Sequence, residues 1–219
     1  MKTRFRQTTF KQFDWGGKRK GAGRKPKGTR AGVSHAKRPE LKSYNPVHVT
    51  LRVADDMPNL RVSQALELFH RVVQAVNQRT DFQVVEFSLQ RNHAHLIVEV
   101  ESKLALSRAM NSLVARFARR LNQLVRRRGE VFPDRYHAEA VDTPAAVRNL
   151  LVYVLGNGRK HGVWRGGGPD PFSSGPQFDG WSDWKGADSR WLPRARTWLL
   201  AVGWRRHGLI SVREAPKRR

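Results

Sequence analysis

At 219 residues the chain is long enough for one sizeable domain with extensions, and an apolar fraction of 39% is compatible with a folded core. Its 42 Lys and Arg against 18 Asp and Glu leave a formal net charge of +24, far beyond what solubility requires and expected of a protein that binds a polyanion. No apolar run is long enough to span a membrane, Met1 to Asp14 lacks the apolar centre of a secretory signal, and the absence of cysteine removes disulfide and thiolate chemistry and leaves zinc only His and carboxylate ligands. A cytoplasmic, nucleoid-associated protein with nucleic acid as partner, and no membrane, is the expectation.

Residues 1–44 hold 14 Lys and Arg against two acids and almost no apolar periodicity, which predicts a flexible basic arm. Within it Arg24, Lys25 and Lys27, spaced by Pro26 and flanked by glycines, suit an extended segment lying in a narrow groove of DNA or simply along phosphates. Order is expected from Pro46. Val47, Val49, Leu51 and Val53 alternate with His48, Thr50 and Arg52, the pattern of a strand with one apolar face. Val62, Leu66, Phe69, Val73 and Val76 then recur at helical spacing and predict a helix over 63–79.

Two strands over 82–89 and 93–100 follow, joined by a tight turn at Gln90 to Asn92. Because side chains alternate along a strand, His93 and His95 share one face while Ala94, Leu96, Val98 and Val100 line the other. Two imidazoles on one rigid face make half of a metal site, although such a pair taken alone is more often exposed or hydrogen-bonded. A second helix is predicted over 104–127, with Leu106, Met110, Leu113, Phe117, Leu121 and Leu124 inward and Arg116, Arg119 and Arg120 on a basic outer face suited to phosphates. A further strand over 135–141 carries His137 and Glu139 on one face, an alternative pair of metal donors without an obvious nucleophile.

Thr143 and Pro144 form a helix start, an N-cap followed by a proline at the first helical position, and the helix should run to about Lys160, where Gly162 can stop it. On that helix Tyr153 and Asn157 stand four residues apart and so on one face. Glycines at 156 and 158 flank Asn157 and are poor helix formers, so a bend or fray is expected there. Residues 166–186 read as loop, and the end, from Pro193, as a short helix with a basic end. The organisation is thus an arm over 1–44, a domain over 45–164 and a loop-rich extension over 165–219. The element order predicts an α+β, ferredoxin-like antiparallel sheet, a topology shared with RNA-recognition modules.

His93-Ala94-His95, the segment Val131 to His137, and Tyr153 to Asn157 with the trailing Arg159 to Gly162 together resemble the single-tyrosine HUH transposases of the insertion-sequence-200 type. More narrowly they look like the REP-associated tyrosine transposases. The resemblance covers about residues 44–164, and Pro171 to Trp181 with Arg196 to Leu200 is similar to extensions in one branch of these proteins. It implies that Tyr153 is the nucleophile on a catalytic C-terminal helix. His93, His95 and Asn157 would hold Mg²⁺ or Mn²⁺, and the substrate would be single-stranded or hairpin DNA, cut and rejoined through a 5′-phosphotyrosine by a monomer or homodimer. Arg52, Arg116, Arg119, Arg120 and the arm would bind nucleic acid. Related replication initiators and relaxases commonly offer three histidines or extra domains that are not found here. The reading from another class is a nonenzymatic nucleic-acid binder on an RNA-recognition-like sheet, indifferent to Tyr153 and to metal.

Overall fold

The computed structural model describes residues 40–187 and 189–216. The proposed groove-binding residues Arg24, Lys25 and Lys27 lie outside them. Four strands, β1 (Val47–Arg52), β2 (Phe82–Leu89), β3 (His93–Val100) and β4 (His137–Ala140), form one antiparallel sheet in the order β2-β3-β1-β4. The helix α1 (Ser63–Val76) carries the chain from β1 to β2, and α2 (Lys103–Leu124) carries it from β3 to β4. Each crossover leaves one place in the sheet, filled by β3 in the first case and by β1 in the second, so the fold is α+β with every neighbouring pair antiparallel.

Alternation along the strands divides the sheet between two cores. Val47, Val49 and Leu51 of β1 with Ala94, Leu96 and Val98 of β3 face α1 and α2, packing against Phe69, Val73, Met110 and Phe117. The opposite face is covered as well. There α3 (Pro144–Leu155) and the C-terminal segment bury Ile97 with Leu151, Val154, Phe178 and Trp204. A bulge between Val84 and Glu86 is what turns Val85 toward this second core while Val84 and Phe87 stay in the first.

The C-terminal segment is built into the sheet. Backbone bonds from Leu89 N to Phe172 O and from Ser174 N to Phe87 O dress the outer edge of β2, which would otherwise be an unpaired strand edge. Three buried carboxylates then anchor it: Glu86 pairs with Arg190, Asp170 with Arg61, and Glu99 accepts from Thr197 at the start of α5 (Trp198–Ala201). The expected loop over 166–186 is loop apart from one 3-10 turn at Gly175–Gln177, and the final short helix begins at Trp198, with a basic 3-10 turn at Gly203–His207 after it.

Several helix boundaries differ from the expectation. The second helix stops at Leu124, because Arg126 adopts a left-handed conformation ahead of Gly129, and Leu124 at this end is exposed rather than inward as expected. The first ends at Val76 rather than 79, and Val62 is exposed at its entrance. The predicted helix over 144–160 is two pieces, α3 and the single turn α4 (Asn157–Lys160), divided at Gly156. Thr143 caps α3 through its side chain, which accepts from Ala146 N, and Gly162 has the positive φ expected of a helix stop. No helix among the described residues is long and apolar enough to cross a membrane.

Candidate active site

The face of β3 beneath α3 carries His93 and His95, with ring centroids 4.8 Å apart. Across β1 they lie opposite Arg52 and Thr50, and His48 stands one step further along the same polar face. From above, α3 lowers Tyr153 onto them. Its half-buried ring meets His95 edge-on at 5.1 Å and His48 at 5.8 Å. The turn α4 adds Lys160, whose Nζ lies 4.7 Å from the centre of the Tyr153 ring, and the exposed His161 just beyond it brings its ring to 6.1 Å from that of His93.

The histidines are oriented by neighbours. Nδ1 of His95 lies 3.1 Å from His48 Nε2 and 3.2 Å from Thr50 Oγ1, so a protonated Nδ1 has acceptors and Nε2 keeps its lone pair. That Nε2 is buried and has no hydrogen-bond partner among the described residues. Nδ1 of His93 is likewise held, 2.9 Å from Asn92 Oδ1. Burial, with the positive field of His161 and Arg52, lowers the His93 pKa to about 4. For His95 burial, the imidazoles beside it and Lys160 take it to about 2. Both rings are therefore neutral at neutral pH, the form that ligates a metal.

Asn157 is fully buried, and neither its Oδ1 nor its Nδ2 has a hydrogen-bond partner among the described residues. Leaving such groups unpaired costs about 1–3 kcal/mol each. Along the chain Asn157 stands between Tyr153 and His161, the two residues whose rings meet His95 and His93. A divalent ion fits this donor set. The unpartnered His95 nitrogen and the unpartnered Asn157 amide oxygen are each donors such an ion could use, imidazole suiting transition metals and the amide oxygen a hard ion such as Mn²⁺ or Mg²⁺. No three His, Cys, Asp or Glu side chains among the described residues form a metal-holding group. In particular His137 and Glu139, on β4 opposite Thr50 and His48, are exposed and complete no such group.

The glycines beside Asn157 have a steric reason. A side chain at Gly156 would press its Cβ to 2.7 Å from Val152 O, and one at Gly158 would overlap the Asp170 carboxylate, with Cγ at 2.9 Å. Asn157 opens α4 directly after the break and is fully buried, while Tyr153 stays on α3.

The basic residues fall in two places. Arg52 reaches the rim of the site, exposed and paired with Asp55 at 2.9 Å. Arg116, Arg119 and Arg120 are exposed on α2, which covers the opposite face of the sheet, so they are not brought to the histidines. Sequence reasoning singled out His93, His95, Tyr153 and Asn157, assigned no role to His48 or Thr50, and took Lys160 and His161 only as part of the segment that carries the resemblance. Alternation marked His48 and Thr50 as polar-face residues of β1; their role depends on β1 pairing with β3, which no local pattern encodes.

Among solved structures the chain resembles a REP-associated tyrosine transposase bound to a REP hairpin, at 17% identity and a TM-score of 0.52, covering 65% of this chain and 82% of that one. A fainter likeness, 13% identity and a TM-score of 0.44, is to a bacterial tRNA(His) guanylyltransferase-like protein in complex with GTP, over 57% of this chain and 67% of that one. No curated protein matches the sequence. The family model described as transposase, IS200 like, matches residues 46–157, from the residue before β1 to Asn157. Since that match spans just over half of the 219 residues, the chain belongs to the IS200-like transposase family.

Proposed function

We propose that this protein is a REP-associated tyrosine transposase of the single-tyrosine HUH type, cleaving and rejoining single-stranded DNA beside a hairpin on a ferredoxin-like sheet. The observation that carries this reading is the convergence of Tyr153 with His95 beneath it, His95 offering a buried, unpartnered Nε2 and Asn157 an unpartnered amide.

In the proposed reaction the Tyr153 hydroxyl attacks the scissile phosphorus in line, forming the phenol-oxygen to phosphorus bond as the bond to the 3′ oxygen breaks. The phenolic proton passes to solvent and the departing 3′ oxygen takes one up, leaving a 5′-phosphotyrosine and a free 3′-hydroxyl. The phosphodiester energy is retained, so another 3′-hydroxyl can reverse the step and join new ends. A phenol is a weak nucleophile near pH 7, and a Mg²⁺ or Mn²⁺ ion held by His93, His95 and Asn157 would polarise the phosphate it attacks. His48 and Thr50 set the tautomer of His95, and Asn92 sets that of His93. The ammonium of Lys160, beside the phenol ring, draws the phosphate toward Tyr153.

Arg52 at the rim guides the single strand into the site. Arg116, Arg119 and Arg120 present a rigid basic face on the other layer of the molecule, suited to the duplex stem, while Arg24, Lys25 and Lys27 in the arm contact phosphates without fixed register. The protein acts at the nucleoid in the cytoplasm, as a monomer or homodimer.

The test uses 3′-labelled single-stranded hairpin DNA from the flanks of the gene, incubated with the protein in Mn²⁺ or in EDTA. A label that migrates with the protein on a denaturing gel in Mn²⁺ and not in EDTA supports the reading. Hairpin binding with no adduct under either condition identifies a nonenzymatic binder instead.

A further inference from the structure

We propose that the buried ion pair of Arg61 and Asp170 is a positioning device that fixes Asn157 relative to His93; the inference rests on the reading of Asn157 as a metal-holding group. Nothing hydrogen-bonds the Asn157 amide among the described residues, so its fully buried side chain is aimed by its backbone and by packing rather than by polar partners. That backbone is gripped from the C-terminal side. Val163 N and Trp164 N both donate to Gly158 O, at 3.0 and 3.1 Å, while Arg159 and the Trp164 indole both donate to Gly168 O, at 2.8 and 2.9 Å. The loop thus closed brings the Asp170 carboxylate against Gly158, where even a methyl group would overlap it.

Asp170 is in turn held from the other half of the site. Arg61 reaches it through a two-pronged contact, 2.9 Å to Oδ2 and 2.8 Å to Oδ1, with the side chains 7% and 1% exposed. The same guanidinium donates to Leu89 O at 2.9 Å, at the end of β2, and the preceding residue, Leu60, donates its N–H to Arg91 O. Leu89 and Arg91 flank the turn that delivers His93, since Gln90 N donates to His93 O across it. One guanidinium therefore spans from the turn that carries a histidine to the loop pressed on the turn that carries Asn157.

Stability alone is a weak reason for such a pair, because a buried ion pair gains little over apolar side chains of the same volume. What the planar fork of arginine supplies is fixed direction and distance. Asp170 lies beyond the segment matched by the family model, which ends at Asn157, so in this chain the C-terminal extension takes part in building the site.

The test measures Mn²⁺ binding directly, by the electron paramagnetic resonance signal of the free ion, together with hairpin affinity and the thermal unfolding midpoint. Arg61→Met, Gly158→Ala and the comparator Asn157→Ala are each expected to weaken Mn²⁺ binding by about tenfold or more, with hairpin affinity held within about twofold and Arg61→Lys intermediate. If Arg61→Met and Gly158→Ala lower the unfolding midpoint yet bind Mn²⁺ like the parent while Asn157→Ala does not, the pair is structural only and the inference is overturned. If Asn157→Ala binds Mn²⁺ like the parent, the reading of Asn157 fails, and the inference with it. Should Arg61→Met not fold, Gly158→Ala and Arg61→Lys decide the question in the same way.

Discussion

Nε2 of His48 lies 3.1 Å from Nδ1 of His95, and the two rings stack with centroids 5.2 Å apart at an interplanar angle of 29°. A histidine of β1 thereby sets which nitrogen of its neighbour on β3 faces the buried space. Replacing His95 with Ala should remove metal-dependent cleavage altogether, because it deletes one of the proposed ligands. His48→Ala should weaken the metal dependence of cleavage by about 10–100-fold without abolishing the reaction at saturating Mn²⁺, as expected of a partner that orients a ligand. Titrating Mn²⁺ in a cleavage assay separates the two. Equal, complete loss in both variants would make His48 a ligand in its own right.

Tyr153→Phe removes a single oxygen from a ring that keeps its edge contacts with His48 and His95. Cleavage and the covalent adduct should both vanish while hairpin affinity and the circular dichroism spectrum stay at parental values. An adduct that persists in this variant moves the nucleophile elsewhere; Tyr136, buried in the core against α1 and α2, is not on the histidine face.

Glu99 anchors the C-terminal segment through both carboxylate oxygens. Oε1 accepts from Thr197 N and Oγ1 at 2.8 and 2.7 Å, and Oε2 from Arg196 N and Gln83 Nε2 at 2.8 and 2.6 Å. Glu99→Gln keeps the shape but sets an NH₂ group against some of these donors. The change should cost about 2 kcal/mol or more, read as a lower midpoint in urea unfolding. An unchanged midpoint would mean that the Glu86 and Asp170 ion pairs and the packing of Trp204 and Phe178 hold the segment without Glu99.

Residues 1–44 and α2 should make separable contributions to nucleic-acid binding. Arm deletion removes 14 basic residues, so affinity should fall and its dependence on salt should flatten, while catalysis continues. Replacing Arg116, Arg119 and Arg120 with Gln should instead narrow the preference for hairpin over linear DNA, because their spacing is fixed on a rigid helix. Since α2 lies on the layer opposite His93 and His95, cleavage of an unstructured strand should be unaffected by that triple change. Binding of matched hairpin and linear DNAs across a salt series checks both. A preference that vanishes with the arm and survives the helix change would reassign the recognition surface.

Much of the framework was legible because alternation and helical periodicity are local. The period of two in Val47 to Arg52 and in His93 to Val100 gave both strands and their faces, and β2 and β3 fall at the expected residues. The pairing of His93 with His95 and the downstream Tyr153 marked rings that the fold brings together. The break at Gly156 was foreshadowed by the two glycines, although the steric reason for the second, the Asp170 carboxylate against Gly158, lies twelve residues further on.

The remainder depended on contacts between distant parts of the chain. Residues 165–219 carry no regular period, so nothing local says that Phe178, Trp181 and Trp204 form a second core, or that Phe172 and Ser174 dress the edge of β2. Burial of Glu86, Glu99 and Asp170 is equally invisible in composition, because a carboxylate in the sequence looks the same whether its partner is water or a guanidinium far along the chain. The alignment of His48 with His95 follows from strand register, and the union of Arg61 with Asp170 from the closure of the C-terminal loop. Periodicity chose which faces the side chains occupy; long-range packing, which trades chain entropy for burial only once the whole domain closes, chose which faces meet.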